Sequence, residues 1–239
     1  MAKLVVVTGA SGGMGQQTCK VFKDNGFQVI GTDRHKSDNA SVDHFFQGEV
    51  TDEAMWHDIA RKIESSNGYL NSLVNIAGRN YLANIAEAKL DEWRNMMEVN
   101  VFGMVAAIKH MAPLLKKAPN AAIVNMSSIS GYIGSIGYAA YCTTKGAVDS
   151  LTKSLALELA PEVRVNAIAP GWIETPFTVE GLEKSADPVA YRKEVEAMHA
   201  LNRVGTPEEI AKSIFWLADG ATFMTGSVVI VDGGYMIKN

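Results

Sequence analysis

Strand-like and helix-like segments alternate along almost the whole chain, and this alternation limits the fold more than any other feature. The first β-branched run, Lys3–Val7, ends in a glycine-rich stretch, and a helical pattern follows from about Met14 to Asn25. Gly26 then stands where a left-handed residue commonly ends a helix. The remaining strands are predicted at Phe27–Thr32, His44–Gln47, Ser72–Asn75, Ala121–Met126, Val163–Ala169 and Val228–Val231.

Helical patterns fill the gaps between these strands. They are predicted at about Asp52–Ser66, Asp91–Lys117, Tyr138–Leu159 and Pro207–Leu217. Thr206 caps the last of them, and Pro207 takes the first helical position, which suits a residue without an N–H. Strands separated by helices pair in parallel through right-handed crossovers. The sequence therefore predicts an α/β fold, a doubly wound, Rossmann-type parallel sheet of about seven strands with helices on both faces.

Length and composition fit one soluble domain. The chain has 239 residues, of which 47% are hydrophobic and 20% charged, and its formal net charge is −4. An α/β sheet of this length buries a large core by itself, and no repeat or linker divides the sequence. We expect a single domain over residues 1–239. Residues 171–203 are the longest stretch without a clear strand, and we expect a substrate loop or lid there.

Several classes of function are disfavoured by the same sequence. No run of like charges indicates binding to nucleic acid or to an anionic membrane. The apolar residues before Gly9 are too few for a signal peptide or a membrane span, so we expect a soluble, cytoplasmic protein. Cys19 and Cys142 fit neither a disulfide framework nor a metal-ligand spacing. We expect both to be buried or half-buried side chains, and no metal site is predicted.

The glycine-rich stretch Thr8–Gly15 lies between the first strand and the first helix. Its glycines Gly9, Gly13 and Gly15 follow the spacing GxxxGxG rather than the commoner GxGxxG. Such glycines let the backbone turn sharply and approach a pyrophosphate, whose charge the helix N-terminus stabilises. Tight strand-to-helix turns also need glycine for steric reasons alone, so this loop by itself does not decide the function.

An acidic residue at the end of the second strand adds to the case for a dinucleotide. Asp33 follows Gly15 by 33 − 15 = 18 residues. In Rossmann folds, an acidic residue about 20 residues on hydrogen-bonds the adenosine ribose. A carboxylate there would repel the 2′-phosphate of NADP, which favours NAD. Arg34, followed by His35 and Lys36, could instead accept that phosphate, so NADP stays open as the alternative.

Seven short motifs, in a fixed order, resemble those of the short-chain dehydrogenase/reductase family of the main, single-domain type. They are TGASGGMG at 8–15, NIAG at 75–78, the asparagine of EVN, Ser128, YCTTK at 141–145, PGWIET at 170–175 and VDGG at 231–234. The family usually has a second asparagine where this chain has Ile76, and an Asp-Val pair where it has Glu49-Val50. The resemblance implies cofactor contacts from Gly9, Ser11, Gly13, Met14, Gly15, Asp33, Arg34, Glu49, Val50, Asn75, Ala77, Gly78, Tyr141, Lys145, Pro170, Gly171, Ile173 and Thr175.

Tyr141 and Lys145 are the strongest candidates for chemistry. Hydride transfer to a ketone needs a proton donor at the carbonyl oxygen. Because the two residues are four apart on a predicted helix, they share one face. We expect the neighbouring ammonium, and the positive ring of oxidised nicotinamide, to lower the pKa of the Tyr141 hydroxyl. Tyr138 is a poorer candidate because the residue four positions later is Cys142, which carries no charge.

The resemblance assigns the other two members of the site. It implies that Ser128, which precedes Tyr141 by 141 − 128 = 13 residues, hydrogen-bonds the substrate oxygen, with Ser127 as the competing choice. It implies that Asn100 holds a water that links Lys145 to solvent, and that Lys145 also binds the nicotinamide ribose. Thr175 and the backbone of Ile173 would contact the cofactor near its carboxamide.

The substrate is less well defined by the sequence. Mostly apolar walls with a few hydroxyls suit a medium-sized secondary alcohol or ketone. Arg79 and Tyr81 could recognise a carboxylate, although a solvated surface arginine is the commoner arrangement. The residues expected to line the pocket are Ser128, Ser130, Tyr132, Ile133, Ile136, Tyr141, Trp172, Phe177, Leu182 and Met198.

The sequence thus predicts an oxidoreductase that transfers a hydride between NAD(H) and a small-molecule alcohol or ketone. The alternatives are an NADPH-dependent 3-oxoacyl-(acyl-carrier-protein) reductase and a cofactor-sensing protein without catalysis. For the reductase, Arg164 is the only cation near the turn before the sixth strand, and Lys116 and Lys117 are the alternative contacts for the acidic carrier. The resemblance also implies a homotetramer. The apolar residues Met104, Ile108, Met111 and Leu155 would be exposed for its interfaces or would pack in the core.

Overall fold

All seven predicted strands are present in one parallel sheet. The computed structural model describes residues 2–66, 68–176, 178–179 and 187–238. The strands are β1 Leu4–Thr8, β2 Gln28–Asp33, β3 His44–Gln47, β4 Ser72–Asn75, β5 Ala121–Met126, β6 Val163–Pro170 and β7 Val228–Val231. Their order in the sheet is β3-β2-β1-β4-β5-β6-β7, and each neighbouring pair is parallel. The doubly wound fold is therefore confirmed.

Helices connect these strands in the described part of the chain. They are α1 Gly13–Asp24, α2 Glu53–Ser66, α3 Leu90–Met97, α4 Gly103–Leu115, α5 Ala139–Glu158, α6 Pro188–Ala197, α7 Pro207–Phe215 and α8 Tyr235–Lys238. A π-helical turn, Glu98–Phe102, separates α3 from α4, so the single helix predicted at Asp91–Lys117 is divided. A second π-helical turn, Trp216–Gly220, follows α7, and short 3₁₀ turns stand at Ile85–Glu87 and Ile129–Gly131. Short irregular turns of this kind leave little trace in hydrophobic periodicity.

The two faces of the sheet carry separate apolar cores. Alternate residues of β1 point in opposite directions, so Leu4 and Val6 pack with α2, α4 and α5, whereas Val5 and Val7 pack with α1 and α7. Both cysteines fit their expected placement, since Cys19 is buried and Cys142 is half-buried. In the described part of the chain, no helix is both long and apolar enough to cross a bilayer.

Part of the expected substrate lid is helical. Asp187 caps α6 by accepting hydrogen bonds from the backbone N–H groups of Val189 and Ala190. The sequence analysis missed this helix because its apolar residues are few. Phe177 and Leu182, two of the expected pocket residues, lie outside the described residues. The single domain over 1–239, with a lid at 171–203, stays a prediction.

Of the two placements expected for the apolar residues of α4 and α5, exposure or packing in the core, the structure shows packing in the core. Met104, Ile108 and Met111 are at most 5% exposed and belong to the core, and Leu155 on α5 is half-buried against it. Those three residues lie on the face of α4 that packs on the sheet. The exposed apolar side chains of this region are Phe102, Val105 and Leu157.

The glycine-rich turn after β1 is closely packed. Gly9 has a φ of +68°, in the left-handed region that favours glycine. A Cβ on Gly15 would lie 2.0 Å from the Gly9 carbonyl oxygen, closer than any real contact. The start of α1 can therefore approach the end of β1 only if residue 15 has no side chain.

We expect Gly15→Ala to lower the free energy of unfolding by about 1–3 kcal/mol, since the added methyl group must displace backbone. Urea unfolding followed by circular dichroism measures the change. Gly134→Ala is the matched control because a Cβ there would meet nothing within 4 Å. Equal stability of the two variants would contradict the packing described for Gly15.

Candidate active site

The carboxyl ends of β1 and β4 meet at the point where the strand order reverses. Open α/β sheets bind ligands at this point. The Thr8 hydroxyl oxygen accepts hydrogen bonds from the N–H groups of Ile76 and Ala77, at 3.0 and 3.1 Å. A Cβ on Gly9 would lie 2.9 Å from the Ala77 nitrogen. The glycine loop and the turn at 75–78 therefore form one continuous edge of the cleft.

Asp33 is fixed beside the glycine loop. Its two carboxylate oxygens accept hydrogen bonds from the N–H groups of Ser11, at 3.1 Å, and His35, at 2.9 Å. The Ser11 hydroxyl donates to the His35 carbonyl oxygen at 2.8 Å, which closes the loop around the carboxylate. Arg34 is exposed, and its Nε donates to the His35 ring at 3.0 Å. Negative charge is thus built into the rim of the loop, and the nearest cation lies on the outside.

The segment after β6 reaches the opposite side of the loop. A Cβ on Gly13 would lie 3.2 Å from Pro176 Cδ and 3.3 Å from Thr175 Cγ2. Thr175 is buried, and its N–H donates to the Thr178 hydroxyl at 3.0 Å. Ile173, 5% exposed, pairs with Gly205 in an isolated parallel bridge. The Pro170–Thr175 segment and the glycine loop therefore lie against each other, as a cofactor held by both requires.

Two of the predicted cofactor residues have structural roles of their own. Asn75 is buried, and its amide donates to Asn125 Oδ1 at 2.9 Å, while the Asn125 amide donates to the Thr152 hydroxyl at 3.0 Å. This ladder joins β4, β5 and α5 beneath the cleft. Val50 is buried against Gly103, and its carbonyl accepts the Trp56 indole N–H, whereas Glu49 is exposed.

Tyr141, Ser128 and Lys145 come together at the carboxyl end of β5. The Ser128 hydroxyl acts on the Tyr141 hydroxyl as a hydrogen-bonding neighbour that lowers its pKa. Ser128 Oγ also accepts the N–H of Ser130 at 3.1 Å, which leaves its own proton available to Tyr141. Lys145 is 3% exposed, donates from Nζ to the Met126 carbonyl at 2.8 Å, and lies 5.4 Å from the centre of the Tyr141 ring. The chain thus brings the ring of Tyr141 next to a buried ammonium, with Ser128 beside the Tyr141 hydroxyl.

Burial controls the ionisation of this pair. It raises the pKa of Tyr141 to about 12, although the hydrogen bond from Ser128 acts in the opposite direction. It lowers the pKa of Lys145 to about 8, against the pull of the Asp149 carboxylate. The expectation that Lys145 would bring the Tyr141 pKa below its ordinary value is wrong for the protein alone. Loss of water around the phenolate outweighs the attraction of the ammonium, whose charge is itself disfavoured by burial.

Asn100 lies inside the π-helical turn and is 1% exposed. Its Oδ1 accepts the Arg79 N–H at 2.8 Å, and its amide donates to the Arg79 carbonyl at 3.0 Å and to the Thr144 hydroxyl at 3.1 Å. Thr144 precedes Lys145, so Asn100 links Arg79, next to the 75–78 turn, to α5. The water relay to Lys145 stays a prediction.

Comparison with known proteins identifies the family to which this architecture belongs. The family model described as enoyl-(acyl carrier protein) reductase matches residues 9–236. The chain belongs to the short-chain dehydrogenase/reductase family. It is similar to the L-fucose dehydrogenase of Mus musculus, with 37% identity over 97% of this chain and 88% of that protein. It is also similar to the 3-oxoacyl-(acyl-carrier-protein) reductase FabG of Thermotoga maritima, with 34% identity over 98% of both chains.

Two solved structures of short-chain dehydrogenase/reductases are especially similar to this chain. The aldohexose dehydrogenase of Thermoplasma acidophilum has a TM-score of 0.94 and 35% identity over 99% of this chain and 94% of its own. A structure of ElxO with NADP bound has a TM-score of 0.88 and 32% identity, and the match covers 99% of this chain and all of that one (100%). The protein is thus an oxidoreductase that uses a nicotinamide cofactor.

Several residues that were expected to line the substrate pocket are more exposed to solvent than a pocket wall would be. Ser130 is half-buried beside Ser128, but Tyr132 is 46% and Ile136 is 93% exposed. Trp172 is half-buried, and its ring lies edge-on to Tyr191 of α6 at 6.4 Å. Arg79 is paired with Glu92 at 2.5 Å, so its guanidinium already has a carboxylate partner. The Tyr81 hydroxyl accepts the Lys89 N–H at 3.1 Å.

Asp149 belongs to the site and was missed by the sequence analysis. Its carboxylate is 6% exposed and accepts a hydrogen bond from Ser127, and a Cβ on Gly131 would lie 2.8 Å from its Oδ2. Burial raises the pKa of Asp149, and the hydrogen bond from Ser127 opposes that change. Asp149 follows Lys145 by four residues, a spacing that could have revealed it. Ser127 is therefore engaged below the cleft, whereas Ser128 faces Tyr141.

We expect Lys145→Met to make the folded chain more stable at pH 7, by about 1–3 kcal/mol in free energy of unfolding. The pKa of Lys145 falls from 10.5 to about 8 on burial, so the ammonium destabilises the folded state. This cost is complete below pH 8 and disappears as the pH rises from about 8 to about 10.5.

Urea unfolding at several pH values measures this effect. The control is Lys153→Met on the same helix, where the lysine is exposed and the substitution should change stability little at any pH. A Lys145→Met variant that is less stable than wild type at pH 7 would show that the hydrogen bond to Met126 outweighs the cost of burying the charge.

Proposed function

We propose that this protein transfers a hydride between NAD(H) and a medium-sized secondary alcohol or ketone, with Tyr141, Lys145, Ser128 and Asn100 as its catalytic set. The observation that carries the proposal is the buried ammonium of Lys145, 5.4 Å from the centre of the Tyr141 ring, with Ser128 as the hydrogen-bonding neighbour of the Tyr141 hydroxyl. Two hydroxyls side by side can hold one substrate oxygen, and one of them can move a proton to or from it.

The proton chemistry follows from the ionisation of the pair. With a pKa of about 12, Tyr141 is protonated at neutral pH and can donate to the oxygen of a ketone as it gains charge. Ser128 donates to the same oxygen and keeps it in line with Tyr141. In the oxidative direction Tyr141 must first lose its own proton and then, as the phenolate, accepts the proton of the alcohol. The positive ring of the oxidised nicotinamide, added to the charge of Lys145, would make the phenolate easier to form. When bound, the nicotinamide supplies or accepts the hydride.

The residues around the cleft fit a dinucleotide. Gly9, Gly13 and Gly15 bring the backbone close to the position that a pyrophosphate takes at the N-terminus of α1. Asp33, fixed by Ser11 and His35, would bind the adenosine ribose. Lys145 would bind the nicotinamide ribose, and Ile173 and Thr175 would contact the carboxamide.

The preference for NAD rests on the charge at Asp33. Both carboxylate oxygens already bind backbone N–H groups, so the carboxylate cannot turn away from a 2′-phosphate without losing those bonds. Arg34 is the residue that could reverse this preference, because its guanidinium is exposed and donates to the His35 ring.

The names of the similar proteins favour an alcohol whose hydroxyl is on a ring as the substrate. The printed names of similar proteins include dehydrogenases of L-fucose, of aldohexoses and of cyclopentanol. Each of these substrates can present an oxidisable hydroxyl on a five- or six-membered ring. We therefore propose a cyclic secondary alcohol or a cyclic sugar as the substrate class.

The acyl-carrier-protein reductase is the second candidate, favoured by the similarity to FabG. An acidic carrier protein needs exposed cations beside the site. Arg164 does not serve, because its guanidinium donates to the carbonyls of Leu217, Ala218 and Ala221 at 2.7–2.9 Å inside the structure. Lys116 and Lys117 are exposed but follow α4, at the edge of the sheet opposite the cleft.

We also propose that the protein is a cytoplasmic homotetramer, in line with the family. The exposed apolar side chains Phe102, Val105 and Leu157 on the outer faces of α4 and α5 support an interface there.

We expect NADH to bind at least about tenfold more tightly than NADPH, a difference of about 1.4 kcal/mol. Fluorescence titration of the purified protein with each nucleotide measures both dissociation constants. Asp33→Asn should reduce the preference by removing the charge, and Asp38→Asn, on the same exposed loop, should leave it unchanged. Tighter NADPH binding by the wild type would favour the carrier-protein reductase and assign Arg34 to the phosphate.

We expect Tyr141→Phe to lower kcat by about 10²–10⁴-fold while NADH binding changes little, because only the proton donor is lost. Initial rates with L-fucose, glucose and cyclopentanol and NAD, and with cyclopentanone and NADH, measure the effect. Tyr138→Phe is the matched control, since its ring lies 6.4 Å from that of Tyr141. Equal losses in the two variants would exclude Tyr141 as the proton donor.

A further inference from the structure

Two histidines and a glutamate come together between α2 and α4, on elements that hold none of the four proposed catalytic residues. Glu53 begins α2, and His57 lies one turn later on the same face of that helix. His110 comes from α4, which packs against α2. One carboxylate oxygen and one nitrogen of each ring lie within 4.8 Å of one another. The two imidazole rings are edge to face, with centres 4.5 Å apart.

The nitrogen of His110 that faces Glu53 lacks a hydrogen-bond partner among the described residues. His110 Nε2 is buried and makes no hydrogen bond within the described part of the chain, and the side chain as a whole is only 10% exposed. Buried polar atoms are nearly always paired, so an unpaired nitrogen needs an explanation. Glu53 Oε2 is 3.9 Å from it, too far for a hydrogen bond. An ion about 2.1 Å from each atom would span that distance.

The surroundings leave room for an ion. The two histidines border an open groove of about 540 Å³, which Asp58, Arg61 and Glu64 also line. Lys109 binds the other oxygen of Glu53 at 2.8 Å, so Oε2 stays free. Glu53 and Lys109 are 54% and 61% exposed, and His57 is also exposed, so these side chains can adjust around an ion.

The donor set selects the class of metal. Two imidazole nitrogens and one carboxylate form the set that zinc takes in sites with an open fourth position. Magnesium and calcium prefer oxygen ligands throughout, and imidazole suits the later first-row metals. In a tetrahedral site the ligand atoms stand about 3.4 Å apart, so the group must contract by about 1 Å.

We propose that Glu53, His57 and His110 form a binding site for a divalent transition metal, zinc above all, which ties α2 to α4. The ion would complete the coordination of the buried His110 nitrogen and join the start of α2 to the third turn of α4. It would stabilise the folded chain and is separate from hydride transfer, so the proposal does not depend on the activity or substrate of the protein.

Isothermal titration of the chelator-treated protein with zinc chloride tests the site. We expect one zinc per chain, and an increase in Tm of about 5 °C when zinc is about a hundredfold above its dissociation constant. Loss of an outer-shell partner weakens zinc sites by about 10–100-fold, so loss of a ligand in His57→Gln or Glu53→Gln should cost at least about tenfold. Magnesium chloride should give neither binding heat nor a change in Tm.

Two variants separate this site from other zinc contacts. His44→Gln removes an exposed imidazole on β3, and Asp58→Asn removes a carboxylate on α2 next to the group, and both should bind zinc as the wild type does. Circular dichroism checks that every variant is folded. Cobalt in place of zinc should give visible absorption that disappears in His57→Gln. Unchanged affinity in His57→Gln and Glu53→Gln, or no binding at about 1 mM zinc, would overturn the proposal.

Discussion

The site depends on one buried hydrogen bond, from the Lys145 ammonium to the Met126 carbonyl at the end of β5. A charged nitrogen that is withdrawn from water must find oxygen partners, and here the end of a strand supplies one. The bond fixes the register of α5 against the sheet and so places Tyr141 beside Ser128. Asn100 reaches the same helix through Thr144, and Asp149 holds Ser127 below it. The position of Tyr141 beside Ser128 thus depends on a buried ammonium that lowers the stability of the folded chain.

Much of the fold was predictable from the sequence, for physical reasons. The strands at His44–Gln47, Ser72–Asn75, Ala121–Met126 and Val228–Val231 have the predicted bounds, because short apolar runs between turn residues mark buried parallel strands. Gly26 has a φ of +81°, as its place after α1 required. The π-helical turn at Glu98–Phe102 was not predictable, because an apolar pattern with a period near 3.6 continues through it. Helix α6 was missed because few of its residues face the core.

In the candidate site, the spacing of residues along α5 predicted which side chains are neighbours but not how deeply they are buried. Tyr141 and Lys145 are adjacent as expected, yet the pKa of Tyr141 rises, because its burial depends on residues distant in sequence. The partners of Asn100, at Arg79 and Thr144, are equally distant along the chain. His110 is more than 50 residues from Glu53 and His57, and no local motif could connect them.

The π-helical turn has a consequence for how this chain can change over evolutionary time. A π turn holds one more residue than an α turn, so it behaves as a single-residue insertion within a helix that would otherwise be continuous. Deleting one residue there would restore regular α-helix and leave α3 and α4 in nearly the same relative orientation, because the π turn uses one more residue for the same rotation, but the side chains within the turn would change direction. Asn100 would then leave its place between Arg79 and Thr144. The number of residues in the turn Glu98–Phe102 is therefore constrained separately from their identity. In alignments of related chains, we expect substitutions in this turn to be far more common than gaps.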